Sequence, residues 1–195
     1  MIQYIVILGA VVSLLGIISY LKKILSGETK PNRISWFMWS IAPLIATFAG
    51  LAAGVRWAVL PVFMSGFGPL LVLFFSFTNP KSYWKLEFFD YLCGFFSCLA
   101  LILWAITKQP LIAIIFAVAS DASAAVPTLV KGWRHPESES IGPFLGGLFS
   151  ALTSFFAIKY WTASAYVFPF YLIAINFSLI FAITFKKIFK VGLTK

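Results

Sequence analysis

Asp121 and Asn176 are the residues whose chemistry the surrounding sequence makes conspicuous. Asp121 stands 11 residues after Pro110 and 10 before Lys131 in an otherwise apolar run, which at 1.5 Å per helical residue puts it roughly 15 Å from either end. Asn176 lies 12 residues after Ser164 and 10 before Lys186, at the same expected depth. A carboxylate at the centre of a lipid-facing helix costs on the order of 3 kcal/mol or more, so Asp121 is expected to face other helices. There it can bind a substrate or carry a coupling proton, and the structural alternative is a hydrogen bond to a Ser or Tyr on a neighbouring helix. Asn176 offers two donors and an acceptor, which suits a polar uncharged solute or, alternatively, packing between helices through the amide. Two polar groups at one level suggest one site.

Other residues could shape such a site. Trp36 and Trp39 are an i, i+3 pair; Trp36 reads as an interfacial anchor, and Trp39, one turn deeper, is placed to close the inner end of a pathway. Gly142, Gly146, Ser150 and Ser154 recur every four positions, a packing face that lets another helix approach, with Ser150 deep enough to line a cavity. Pro43, Pro61, Pro69, Pro127 and Pro169 fall inside apolar runs. Each removes a backbone hydrogen bond and makes either a hinge or a static kink. Pro127, six residues after Asp121, is the first hinge candidate, with Pro43, Pro61 and Pro169 behind it. Glu87 and Asp90 suit the first turn of a helix, where a carboxylate meets the positive end of the dipole.

No catalytic constellation emerges, so no enzyme activity is expected. Cys93 and Cys98, five apart, fit neither a CxxC motif nor a helical disulfide and read as buried thiols. His135 stands in a loop without Cys or clustered carboxylates at ligand spacing, so no metal is expected, and no phosphate-cradling glycine loop is present. A retinal-type lysine would have to sit mid-way along the last apolar run, whereas Lys186 and Lys187 are at its end. No cofactor is expected.

Composition names the elements that must hold these residues. With 61% hydrophobic and 11% charged residues in 195, and about 20 apolar residues needed per bilayer-spanning helix, the chain has room for about seven. The expected fold is an all-α polytopic membrane protein with spans near 2–21, 34–54, 57–77, 87–107, 110–130, 141–159 and 165–185. Lipid offers no partner for an unpaired amide, and a barrel would need alternating polarity that these runs lack. Residues 1–21 read as a span, not a cleaved leader, because no basic residue precedes the run and no small-residue cleavage site follows it. The net charge of +9 follows the membrane and does not point to nucleic acid. The loops at 22–33, 78–86 and 131–140 plus the C-terminal tail hold 12 Lys and Arg, among them Lys186, Lys187, Lys190 and Lys195, against Arg56, Lys108 and Lys159 on the other side. The basic side is expected in the cytoplasm, the N-terminus outside, and the tail near anionic headgroups. Trp57, Trp84, Trp133 and Trp161 near span ends read as interfacial anchors.

Residues 1–77 and 110–187 read as two copies of one three-helix unit shifted by about 108 positions, pairing Leu21 with Leu129, Lys23 with Lys131, Pro61 with Pro169 and Leu71 with Leu179. Gly68 then takes the place of Asn176, each seven residues after its repeat proline, so one site with an asymmetric wall is expected. A single helix between the copies restores their orientation, giving parallel repeats about an axis along the membrane normal. The expected organisation is 1–80, a first three-helix repeat; 81–109, a linker helix; and 110–195, a second repeat with a basic tail.

This 3+1+3 plan, with Val126-Pro127-Thr128-Leu129-Val130-Lys131 and the turn from His135 to Phe144, resembles the SWEET and PQ-loop superfamily of membrane transporters. The superfamily pattern has a Pro-Gln or related pair ending the first helix of each repeat; here Thr128 stands for the Gln, and Ser19 and Tyr20 occupy the first copy's place. The stretch from Thr29 to Trp36 is similar to a prokaryotic branch for which no activity is carried over. The resemblance implies a secondary transporter or facilitator in a prokaryotic inner membrane. It would move a small polar solute by alternating access around Asp121, Asn176, Trp39, Ser150 and Gly68, with proton coupling if Asp121 titrates during the cycle. The alternative is a receptor or assembly protein that does not transport on the same scaffold. Two repeats supply a complete pair of bundles, so a monomer suffices.

Overall fold

The computed structural model describes residues 2–52, 59–106, 110–157 and 163–192. Among these the chain forms seven α-helices and no strand: α1 (Ile2–Ser26), α2 (Arg33–Ala52), α3 (Val59–Phe75), α4 (Phe88–Ile106), α5 (Pro110–Arg134), α6 (Gly142–Ala157) and α7 (Ala163–Gly192). Single 3-10 turns at Pro80–Ser82 and Pro136–Ser138 precede α4 and α6. Arg56, Trp57, Lys108, Lys159, Trp161 and Lys195 lie outside the described residues, as do the side chains of Lys186, Lys187 and Lys190. Among the described residues two stretches are long and apolar enough to cross a bilayer, Tyr4–Ser26 in α1 with mean hydropathy 2.4 and Tyr166–Phe185 in α7 with 2.0; Leu60–Phe75, Phe88–Leu99 and Gly142–Phe156 are shorter apolar stretches.

Three helices run past the edges that hydropathy sets. α1 continues to Ser26, α5 to Arg134 and α7 to Gly192. At α1 the stop is Gly27, whose φ of 81° only glycine adopts without strain. The amides of Gly27 and Glu28 turn back onto the carbonyls of Ile24 and Lys23, at 3.0 and 2.9 Å. Asn32 starts α2 by accepting from the amides of Ile34 and Ser35, a side-chain cap for otherwise orphaned donors. Its Nδ2 donates to Asp90 Oδ1 at 2.9 Å. Asp90 Oδ2 in turn accepts from the Glu87 amide at 2.7 Å, so one carboxylate caps α4 and ties it to the start of α2.

The helices alternate in direction. Asn79 donates to the Leu25 carbonyl at 2.8 Å, Arg33 to the Ser76 carbonyl at 2.7 Å, the Lys30 amide to the Ser138 carbonyl at 2.9 Å, and Trp133 stacks on Phe185 at 5.5 Å. These contacts gather the ends of α1, α3, α5 and α7 and the starts of α2, α4 and α6 at one end of the bundle. Every Lys and Arg whose side chain is described belongs to this basic end.

Within the bundle α3 packs against both α1 and α2, and α7 against both α5 and α6. Across it, α1 packs on α6 and α2 on α5, while α4 lies outside, against α5 and the edge of α2. The main contacts are unchanged when α1, α2 and α3 are exchanged for α5, α6 and α7. The two cross seams are nonetheless unlike. At α1 and α6 the backbones nearly touch: a Cβ on Gly146 would lie 2.9 Å from Ser13 Cα, and one on Gly142 would lie 3.0 Å from the Gly16 carbonyl oxygen. The α2–α5 seam is instead filled by Trp39, whose Nε1 donates to the Asp121 carbonyl at 3.3 Å. The packed core, including Ile17, Ile24, Val72, Ala125, Leu179 and Ile183, occupies the half of the bundle nearer the basic end.

Candidate functional site

The site is built upward from the basic end. Glu139, in the turn before α6, uses both carboxylate oxygens: Oε1 pairs with Lys131 Nζ at 2.5 Å and Oε2 accepts from Tyr20 at 2.6 Å. The ion pair is sealed from solvent, the side chains being 2% and 0% exposed. Lys131 also donates to the Lys30 carbonyl, and its ammonium lies 4.7 Å from the Trp84 ring centroid. Lys23 donates to Ser140 at 3.1 Å. This network joins α1 and its following loop to α5 and the start of α6, so it fastens one triplet of helices to the other. Such an ion pair survives burial only because every partner is supplied.

Above Glu139 the Tyr20 ring packs on Trp36 at 5.1 Å, Trp36 on Trp39 at 5.3 Å, and both indoles on Phe144 at 6.1 and 6.3 Å. Tyr20, Trp36, Trp39 and Phe144 are all buried. They form an aromatic floor, and on it stands a cavity of about 340 Å³ lined by α1, α2, α3, α5, α6 and α7. Among the described residues, none from α4 lines its wall. Polar groups on it include Ser13, Ser65, Ser150, Ser154, Asp121 and Asn176. The remaining wall is aliphatic, aromatic or proline. Asp121 Oδ2 accepts from Tyr171 at 2.7 Å; Oδ1 accepts no hydrogen bond from the described residues. Asn176 Nδ2 returns to the Leu172 carbonyl of its own helix at 2.8 Å, and its Oδ1 lies 2.7 Å from where a Cβ on Gly147 would be.

Asp121, Asn176, Trp39 and Ser150 thus meet on one cavity wall. Gly68 does not join them. A Cβ there would sit 2.9 Å from Ile17 Cγ1, so it is an α1–α3 packing contact, and its repeat partner Asn176 stands alone. Pro43, Pro61, Pro69 and Pro169 line the cavity, whereas Pro127, the first hinge candidate, is buried away from it. Pro61 is the third described residue of α3. The stripe on α6 divides: Gly142 and Gly146 meet α1, while Ser150 and Ser154 reach the cavity. Trp36, expected at an interface, is instead 2% exposed in the floor. Cys93 is buried but Cys98 is exposed on the outside of α4, against the expectation that both are buried, because only one face of α4 is covered.

No family model, curated protein or solved structure matches the chain, and the site is read from its own chemistry. Three groups escaped the sequence reading: Tyr20, Lys131 and Glu139. Each looked like part of a span end or a solvated basic loop. The one available signal was the repeat shift, which sets Tyr20 against Thr128 one turn from the matching pair Lys23 and Lys131 and so marks a difference between the two copies at this level. Tyr171, the hydrogen-bond partner of Asp121, falls within the expected class of a Ser or Tyr on a neighbouring helix.

Proposed function

We propose that this chain is a secondary transporter or facilitator of a small polar solute, working by alternating access between the triplets α1–α3 and α5–α7. The observation that carries the reading is the cavity: six helices from both triplets line it, a carboxylate and a carboxamide share its wall, and an aromatic floor with a buried ion pair closes it toward the basic end. Opening that floor would expose Asp121 and Asn176 to the other side. No external energy source is needed for such a rocking motion, only two packings of comparable stability.

The reading includes a seven-span, 3+1+3 arrangement in the membrane, with repeats at 1–80 and 110–195, a linker at 81–109, and kinship to the SWEET and PQ-loop superfamily. Supporting it is an outer surface covered with large apolar side chains: Phe88, Phe74, Phe156, Phe170, Phe95 and Phe177 are each between 62% and 82% exposed, and they are spread over α3, α4, α6 and α7. An apolar surface on that scale is suited to lipid. On this reading the basic end faces the cytoplasm, as its excess of Lys and Arg favours, and the prokaryotic inner membrane follows from the resemblance alone.

Uptake into proteoliposomes, with and without an imposed pH gradient, tests both transport and coupling. A solute that accumulates only with the gradient in the native protein, and merely equilibrates with Asp121→Asn, establishes proton coupling through this residue. Full gradient-driven accumulation by Asp121→Asn removes the coupling. A solute that stabilises the protein but never crosses would favour a receptor on the same scaffold.

A further inference from the structure

We infer that the solute taken by this cavity is a small organic monocation, an amine or quaternary ammonium without an acidic group, with the Asp121 carboxylate as its counter-ion. The inference rests on the transporter reading for the movement of the solute, and on the cavity alone for its binding.

Charge comes first. Among the described residues lining the cavity, Asp121 is the one with an acidic or basic side chain. Tyr171 engages only Oδ2, and the indole of Trp39 donates to the backbone carbonyl of Asp121, not to the carboxylate. From α4, the nearby Ser97 bonds Ser120 and so contributes nothing to the carboxylate. A carboxylate in a mostly apolar enclosure gains most from a partner of opposite charge, because the low local dielectric strengthens that one interaction. An anionic or zwitterionic solute would place a second negative group in the same enclosure.

Size and wall chemistry then separate an organic cation from a metal ion. No group of three or more His, Cys, Asp or Glu that could hold a metal occurs among the described residues, and the space is far larger than one bare ion fills, at about 340 Å³. Trp36, Trp39, Phe144 and Phe168 line it, and aromatic rings around a carboxylate form the kind of enclosure that holds alkylammonium groups. Ser13, Ser65, Ser150, Ser154 and Asn176 leave acceptors for N–H or O–H groups on the same solute.

The test uses the purified full chain and reads its melting temperature against choline and 2-phenylethylamine. Each is paired with its neutral counterpart, 3,3-dimethylbutan-1-ol and 2-phenylethanol, with glycine betaine, glucose and sodium chloride alongside. At least one monocation is expected to protect, with an affinity about tenfold or more above its neutral counterpart, and betaine, glucose and sodium are expected to protect less. Asp121→Asn should erase the preference for charge, while Tyr171→Phe, which keeps the carboxylate, should retain it. Equal protection by the neutral counterparts, protection by sodium alone, an undiminished preference in Asp121→Asn, or no protection by either amine would overturn the inference. The two readings fail separately. Protection and uptake of glucose or an alcohol would leave transport standing and remove the cation, whereas a protecting amine that never enters proteoliposomes would leave the cation site and remove transport.

Discussion

Glu139 is the residue on which the closed end turns, because its two oxygens hold α1 through Tyr20 and α5 through Lys131. Breaking a buried ion pair by removing one partner strands the other charge and costs about 3–5 kcal/mol, whereas replacing the whole set with apolar side chains of similar volume is often neutral or better. Glu139→Ala is therefore expected to lower the melting temperature sharply. The combination Tyr20→Phe, Lys131→Met and Glu139→Leu should recover most of the loss, as read by thermal unfolding in detergent. If the combination is as unstable as the single variant, the network contributes through geometry and not through charge burial. The contact itself was not legible in the sequence: Tyr20 and Glu139 are 119 positions apart, and a Glu among Lys, Arg and Ser in a loop looks solvated until the fold closes over it. Asp121 and Asn176 were legible for the opposite reason. A single polar residue in a long apolar run has to be satisfied by tertiary structure, so its position alone announces an interior site.

At the level of elements, α6 is the helix with two jobs, and two adjacent glycines separate them. A Cβ on Gly146 would meet the backbone of α1 at Ser13, 2.9 Å from Cα and 3.0 Å from the Val12 carbonyl oxygen, and backbone cannot yield. The three atoms nearest a Cβ on Gly147 all belong to the amide end of Asn176, a side chain that can turn aside. Gly146→Ala is expected to destabilise the fold by about 1–3 kcal/mol, the usual cost of overpacking, without changing which solute binds. Gly147→Ala should keep its unfolding free energy within about 1 kcal/mol of the parent and weaken solute protection through the displaced Asn176. A common loss of stability in both variants would mean that Asn176 is locked in place by packing. Helix existence was readable from apolar run length, and the four-residue stripe on α6 marked a close approach. The partner was not readable, because Gly9 and Gly16 on α1 are seven residues apart and look incidental until Ser150 and Thr153 lie against the first and Gly142 against the second. Gly68 was misplaced for a related reason: a repeat shift aligns positions along two helices, but which face each helix turns inward depends on its own neighbours, and here Ile17 fills the space that Asn176 occupies in the second triplet.

For the whole molecule, the arrangement of ends decides which way the closed state faces. Every described Lys and Arg stands at the end sealed by the aromatic floor, so a positive-inside orientation makes the closed side cytoplasmic and leaves the cavity for the opposite side to reach. That orientation can be measured apart from any transport assay. In a chain whose two cysteines, Cys93 and Cys98, are replaced by serine, new cysteines at the exposed positions Glu28 and Glu137 report the basic end, and one at the exposed Tyr4 reports the other. A membrane-impermeant maleimide applied to intact cells is expected to label Tyr4→Cys at once, and Glu28→Cys and Glu137→Cys only after the membrane is permeabilised. Replacing either Glu makes the basic end more positive, so these variants strengthen the orientation they report. Labelling of all three in intact cells would break the assignment of seven crossings with the basic end inside. The reverse pattern would turn the molecule over and make this structure the inward-accessible state of the cycle, with the Glu139 network then guarding the outside.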